Sequence, residues 1–306
     1  VSSYRFCRTD DIGLLVDALN RCWAPYHPDE PPVTPAAFKR SIRDLQVWCS
    51  SCMVAFSGSD PIGVLIGAKR LSSTLVHKIA VHPDHRRQGH GRHLLASLGS
   101  KLTILGPPRI VAEVPETLVP ARALFGASGY VEEARLTDYV LDCVASDVRV
   151  AAGRFVIPVT IDDLAANGLL GEDPPSPSAG HVHPQVCWQR AVSTLTARKD
   201  EIAGLAVASD ERIEAYLLYV ARGTAEAEIV LLCSLIEDGG ACLKQLLAQL
   251  GARGMRSFRF PKVHPAEISK ELLEALGFHP AGGHLLYAAT LRPFDKLRVA
   301  ASNVEG

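Results

Sequence analysis

No uninterrupted apolar span in this sequence reaches the roughly 20 residues that a membrane-crossing helix needs, so no membrane partner is expected. Charge of one sign is missing too. Lys and Arg number 32 against 33 Asp and Glu, for a net charge of −1. By halves the balance is +2 over residues 1–150 and −3 over 151–306. Neither half has the basic surplus that a phosphodiester backbone demands, so no nucleic acid is expected as a partner. The amino terminus lacks the charged-then-apolar pattern of a secretory signal, and the expected location is cytoplasmic. The eight cysteines are scattered, which suits reduced thiols better than a disulfide framework. Cys49 and Cys52 have C-x-x-C spacing, but no second pair and no nearby histidine complete a zinc site, so no metal is expected. There is no G-x-x-x-x-G-K-[ST] to cradle a nucleotide and no G-x-S-x-G to raise a serine nucleophile.

At 306 residues the chain is long for one hydrophobic core, and two domains are expected. Its first half alternates strand and helix signals. A strand over 4–8 precedes a helix carrying Ile12, Leu15, Val16, Leu19 and Trp23. A proline-rich loop over 24–35 and a helix over 36–45 follow. Strands are predicted at 52–56, 62–71, 75–81 and 109–114, with a leucine-faced helix before the last. A helix over 119–128 and strands at 130–133 and 137–141 finish the unit. The second half repeats this order faintly, with strands at 201–208, 212–220, 228–235, 257–260 and 285–290 and helices at 241–250 and 266–276. The domains expected are thus 1–146 and 147–293, divided near Ala145–Ala152. A Pro-, Ser- and Gly-rich loop spans 171–184, and 294–306 reads as a loose tail.

The stretch Ile79-Ala80-Val81-His82-Pro83-Asp84-His85-Arg86-Arg87-Gln88-Gly89-His90-Gly91-Arg92 joins a strand to a helix. A helix amino terminus presents unpaired N–H groups and partial positive charge, so an anion docks there without a metal. Glycines at 89 and 91 admit an oxygen close to the backbone, and Arg86, Arg87 and Arg92 add donors suited to phosphate. The alternative is an ordinary exposed turn. Leu94 stands where a third glycine would complete a dinucleotide fingerprint, so that reading is excluded. The pattern R-x-x-G-x-G after a strand ending in proline resembles the acyl-CoA site of the GNAT superfamily of N-acyltransferases, in a tandem form with a degenerate second copy.

The resemblance implies an α/β (α+β) fold of two tandem GNAT-like domains, each a mixed, mostly antiparallel sheet flanked by helices. It implies acetyl-CoA as donor and an amine of unknown identity as acceptor. Backbone groups of Ile79, Ala80 and Val81 would bond the pantetheine amides, and N–H groups from Arg87 through Gln88, Gly89, His90 and Gly91 to Arg92 the pyrophosphate. The amine would attack the thioester directly. Glu113 matches the general-base position of ribosomal-protein alanine N-acetyltransferases; a solvated strand-end glutamate is the other reading, and Glu116 the fallback. The tyrosine that faces the sulfur in the family is Phe125 here, so water, Ser128 or Tyr139 would have to protonate the thiolate. Trp23, Tyr26, Asp29 and Glu30 lie in the loop that would wall the acceptor, with solvated carboxylates the competing view. The second copy carries Asp238-Gly239-Gly240-Ala241 in place of the basic turn, and little coenzyme affinity is expected there. A non-catalytic acyl-CoA binding or sensing module, and a scaffold that kept only the fold, stay open as alternatives. Homo-oligomer formation is left open.

Overall fold

The computed structural model of the chain describes residues 2–142, 153–170 and 187–291. The expected division near Ala145–Ala152, the loop over 171–184 and the tail over 294–306 lie outside these residues. Two compact units form. Unit 1 takes the chain up to Val114, Leu118–Glu133 and the chain from Leu286; unit 2 takes Pro115–Thr117 and Ala134–Leu285.

In unit 1, β1 (Ser2–Phe6) leads into α1 (Ile12–Cys22), whose Leu15, Val16, Ala18, Leu19 and Cys22 recur at helical spacing and are all buried. Thr34 starts α2 (Pro35–Leu45): its hydroxyl accepts the Ala37 N–H at 3.1 Å, and Pro35 presets the first helical φ. β2 (Met53–Ser57) and β3 (Asp60–Lys69) form an antiparallel hairpin, and β4 (Ser73–Val81) pairs antiparallel with β3. α3 (His90–Leu105) then crosses to β5 (Arg109–Pro115), which is parallel to β4, and α4 (Val119–Ala127) follows. The sheet runs β1-β2-β3-β4-β5 and takes its next strand from the far end of the chain, over Leu286–Thr290.

That last strand is a departure from the expected plan. The sequence pattern has residues 130–141 finishing the first unit. In the structure they form one strand, β6 (Val131–Asp142), which pairs antiparallel with a strand of the second copy, Phe258 opposite Leu141 and Phe260 opposite Tyr139. Unit 2 adds β7 (Phe155–Val159), α5 (Ile161–Ala166), α6 (Val192–Ala197), β8 (Ala203–Ala208), β9 (Ile213–Ala221) and β10 (Glu226–Ser234). After these come α7 (Ala241–Ala252), β11 (Ser257–Val263), α8 (Lys270–Ala275) and β12 (His279–Thr290). The order β6-β11-β10-β9-β8-β7 repeats that of unit 1. Leu205, Leu217, Leu246, Leu250 and Phe258 pack on one side, and Leu164, Leu195, Leu218 and Val230 on the other. Tyr139 and Leu141 of β6 belong to the first of these clusters, so burying their apolar side chains drives the strand into unit 2. Among the described residues no helix is long and apolar enough to cross a membrane.

Candidate functional site

Strands β4 and β5 are hydrogen-bonded neighbours only at their beginnings. The pairs Ser73–Arg109, Thr74–Ile110 and Leu75–Val111 form, and the two strands then part. Ile79, Ala80 and Val81 lie beyond the parting, paired on their other side with Leu65, Val64 and Gly63 of β3. One edge of this strand end is therefore satisfied, and the other faces the gap. Unpaired backbone groups along such an edge are ready partners for an extended ligand rich in amides. Glu113 sits two residues past the last pair, half-buried, and already holds a partner.

The turn after β4 folds as a short helical turn over Pro83–His85, and then enters α3 through two left-handed residues, Arg87 (φ 60°) and Gly89 (φ 87°). Gly89 caps the helix and has no side chain with which to satisfy the first N–H groups. A Cβ at Gly89 would meet nothing within 4 Å, so the approach to these groups is open. Arg86, Arg87, Gln88 and Arg92 are exposed around it. An open amino terminus ringed by guanidinium groups fits a diphosphate.

Two residues of the turn play a part different from the one expected. The missing Cβ of Gly91 would lie 3.0 Å from Leu124, so this glycine lets α4 close onto α3 rather than admitting an oxygen. His90 turns its ring inward, where it is 5% exposed, and its Nδ1 bonds the Tyr4 hydroxyl at 2.7 Å. Burial, with His85 and His93 nearby, lowers the pKa of His90 and keeps the ring neutral. Its backbone N–H stays in the first turn of α3, but the imidazole is committed to Tyr4. Tyr4 in turn stacks on His93, at 3.8 Å between ring centroids.

The loop after α1 reaches the same strand end. Tyr26 donates its hydroxyl proton to the Val81 carbonyl at 2.5 Å, and the Arg86 Nε–H donates to the same hydroxyl. The Arg86 guanidinium also lies 4.2 Å from the centre of the Tyr26 ring. Glu30, read as an attractor for a cationic amine, is engaged inside the unit. It accepts from the Trp23 indole at 3.1 Å and pairs with Lys78 at 3.8 Å. Lys78, on β4, lies 4.3 Å over the Trp23 ring, and burial lowers its pKa against the opposing pull of Glu30. Sequence reasoning did not single out Lys78, whose signal is only a lysine in an apolar strand.

The fallback base Glu116 counts with unit 2, where Arg135 binds its carboxylate at 2.5 Å. Phe125 is buried in unit 1 between Tyr130, edge-on at 5.1 Å, and Tyr287, stacked at 5.8 Å. Of the two hydroxyls considered in its place, Tyr139 lies in unit 2 and Ser128 has its oxygen buried without a partner. Cys49 and Cys52 are both buried, and no group of three or more ligating side chains occurs among the described residues.

Unit 2 builds the same elements to another end. β10 and β11 pair over Glu226–Glu228 and Ser257–Arg259 and then part. Past the parting, the carbonyls of Pro261 and Lys262 accept bonds from Arg190, which is 2% exposed and paired with Glu267 at 2.7 Å. At the mouth of α7, Asp238 accepts the Gly240 N–H at 2.9 Å and the Cys242 N–H at 2.8 Å. Partial burial pushes the Asp238 carboxyl up, but the Cys242 and Gly240 bonds outweigh it and hold the group low.

Comparison with known proteins bears on unit 1. Residues 14–130 match the family described as Acetyltransferase (GNAT) family. No curated protein matches the chain by sequence. Among solved structures, a tandem GNAT protein from the clavulanic acid biosynthesis pathway aligns at 19% identity and a TM-score of 0.62, over 96% of this chain and 100% of that one. A GCN5-related N-acetyltransferase from Sphaerobacter thermophilus aligns at 13% identity and 0.66, over 95% and 96%. One from Kribbella flavida gives 14% and 0.62, over 95% and 71%. At these identities the likeness is one of fold, and it extends to both units.

Proposed function

From the premise that residues 14–130 form a domain of the acetyltransferase (GNAT) family, we propose that the chain moves an acetyl group from acetyl-CoA to a primary amine in unit 1. The observation that carries this reading is the parting of β4 from β5 beside the open mouth of α3. Backbone groups of Ile79, Ala80 and Val81 would hold the pantetheine amides, with the Tyr26 hydroxyl giving up the Val81 carbonyl where a ligand amide takes it. The N–H groups from Arg87 to Arg92, with the exposed arginines, would hold the pyrophosphate. The amine nitrogen attacks the thioester carbonyl, the C–S bond breaks, and the sulfur leaves with its electron pair. Glu113, at the edge of the gap, accepts the proton that the amine sheds, directly or through water.

In the same proposal residues 1–146 and 147–293 descend from one duplicated unit, and only the first kept its ligand. We place the reaction in a cytoplasmic, reducing compartment, which accords with the unbonded thiols among the described residues. Calorimetric titration with acetyl-CoA, followed by thiol release over a panel of amines, tests the reading. Binding with turnover is expected. Binding without turnover on any amine would favour a sensing module, and the burial of Phe125 where an acid is needed is the observation on that side. Glu113→Gln is expected to leave coenzyme affinity unchanged and to lower turnover roughly 100-fold. Undiminished turnover would reassign the base.

A further inference from the structure

The acid that the leaving sulfur needs is absent from α4, but a hydroxyl stands beside the vacant place. The ring of Tyr287 lies face to face with Phe125, 5.8 Å between centroids and 19° between planes. Tyr287 belongs to β12, next to β5 in unit 1. The bonds from the Leu291 N–H to the Pro108 carbonyl and from the Glu116 N–H to the Gly283 carbonyl set an antiparallel register. In that register Tyr287 stands opposite Ala112, and residues so opposed point to the same face of a sheet. Ala112 is the first residue of β5 past its last pair with β4. Tyr287 is therefore level with the point where the strands part, and only a methyl side chain lies on β5 between it and the gap.

The other hydroxyls near Phe125 serve less well. Burial pushes the Tyr130 hydroxyl far above the ordinary tyrosine range, so it holds its proton too tightly. An aliphatic hydroxyl such as that of Ser128 is a far weaker acid than a phenol, and the Ser128 oxygen is fully buried. The Tyr287 hydroxyl makes no hydrogen bond among the described residues and is not among the fully buried oxygens that lack one. The residue is only 7% exposed, so the ring is held in place while its hydroxyl keeps a proton to give.

We propose that Tyr287, supplied by the last strand of the second copy, is the general acid of unit 1. This rests on the transferase reading above. As the C–S bond breaks and sulfur takes the electron pair, the proton of the Tyr287 hydroxyl passes to sulfur. The tyrosinate then regains a proton from solvent, and Glu113 releases to solvent the one it took from the amine, so the protons balance over the cycle. The second copy would thus lack a ligand of its own and still complete the chemistry of the first.

Four full-length proteins test the assignment: wild type, Tyr287→Phe, Phe125→Tyr and the double variant. Each is assayed with acetyl-CoA and the best amine of a panel, by thiol release across the alkaline range. The change to phenylalanine removes one oxygen, and thermal melting checks that the fold is kept. Tyr287→Phe should lower kcat roughly 100-fold, leave acetyl-CoA affinity within about twofold and abolish the alkaline loss of activity that a tyrosine acid imposes. Phe125→Tyr in the Tyr287→Phe background should restore most of the rate, since it returns a hydroxyl to the same aromatic stack. An active wild type whose Tyr287→Phe variant keeps both its rate and its alkaline limb overturns this assignment alone. A wild type that binds acetyl-CoA but releases no thiol overturns the transferase reading together with it.

Discussion

Two helices occupy the same place in the two units, and their amino termini end differently. At the mouth of α3 the capping residue is Gly89, with no side chain to spend on the helix, and guanidinium groups stand around it. At the mouth of α7, Asp238 lies across the turn and takes two N–H groups on its own carboxylate oxygens. Both solutions meet the same requirement, because the first turn of any helix leaves donors unsatisfied and favours negative charge. One mouth stays ready for an anion from solution; the other carries its anion in the chain. The strand ends beside each helix differ as well. In unit 1 the Tyr26 hydroxyl bonds the Val81 carbonyl at the end of β4, whereas in unit 2 buried Arg190 binds the Pro261 and Lys262 carbonyls of β11 past the parting. A repeated fold can thus satisfy from its own side chains, in one copy, groups that the other copy leaves open.

The comparison breaks hardest at Arg190. Arg190→Ala leaves Glu267 charged and buried, and should cost roughly 3–5 kcal/mol in a urea melt; a loss under 1 kcal/mol would mean that the pair does not brace the β11 gap. Next comes a transplant of the internal anion. Arg87 precedes Gly89 by two residues, as Asp238 precedes Gly240, so Arg87→Asp should place a carboxylate over the mouth of α3. Acetyl-CoA should then bind roughly 100-fold more weakly, about 2.7 kcal/mol, by calorimetry; unchanged affinity would move the diphosphate elsewhere. The converse change is smaller. Asp238→Ala should destabilise the chain by about 1 kcal/mol through the lost cap and should not create a second acetyl-CoA site, since Arg190 still holds the β11 carbonyls; a stoichiometry of two would refute that.

The smallest contrast is in pH. His90 opens α3 and is buried neutral, whereas Ala241 opens α7 and cannot titrate. With its folded pKa below the ordinary 6.5, His90 contributes stability that is fully present above pH 6.5. That contribution is lost as the pH falls from there through the folded value, because the unfolded chain takes up the proton first. A His90→Gln variant should show a flatter fall of the urea midpoint over this range. Parallel curves for variant and wild type would show that the ring is not held neutral by its surroundings.

Much of this was legible in the sequence because it is local. Helical recurrence of leucines placed α1 and α3, and a proline-ended strand before a Gly-x-Gly turn marked the mouth of α3. The roles of individual turn residues were less legible. Gly91 and Gly89 read alike as letters, yet one faces Leu124 and the other faces open space. His90 among three other histidines gave no sign that Tyr4, 86 residues away in sequence, would claim it. The helix expected over 266–276 proved shorter, because Ser269 caps it at Leu272 and starts it late.

By itself, then, the sequence determined the order of elements, its repetition and the position of an open, basic helix mouth. Those follow from periodicity and from residue types that act on their immediate backbone. Only the tertiary structure decided that β6 serves unit 2 while the end of β12 serves unit 1. Nothing in a strand's own alternation names its neighbour, since any strand offers the same backbone donors and acceptors. Which edge it joins is settled by the side chains it can bury there, and those come from distant parts of the chain.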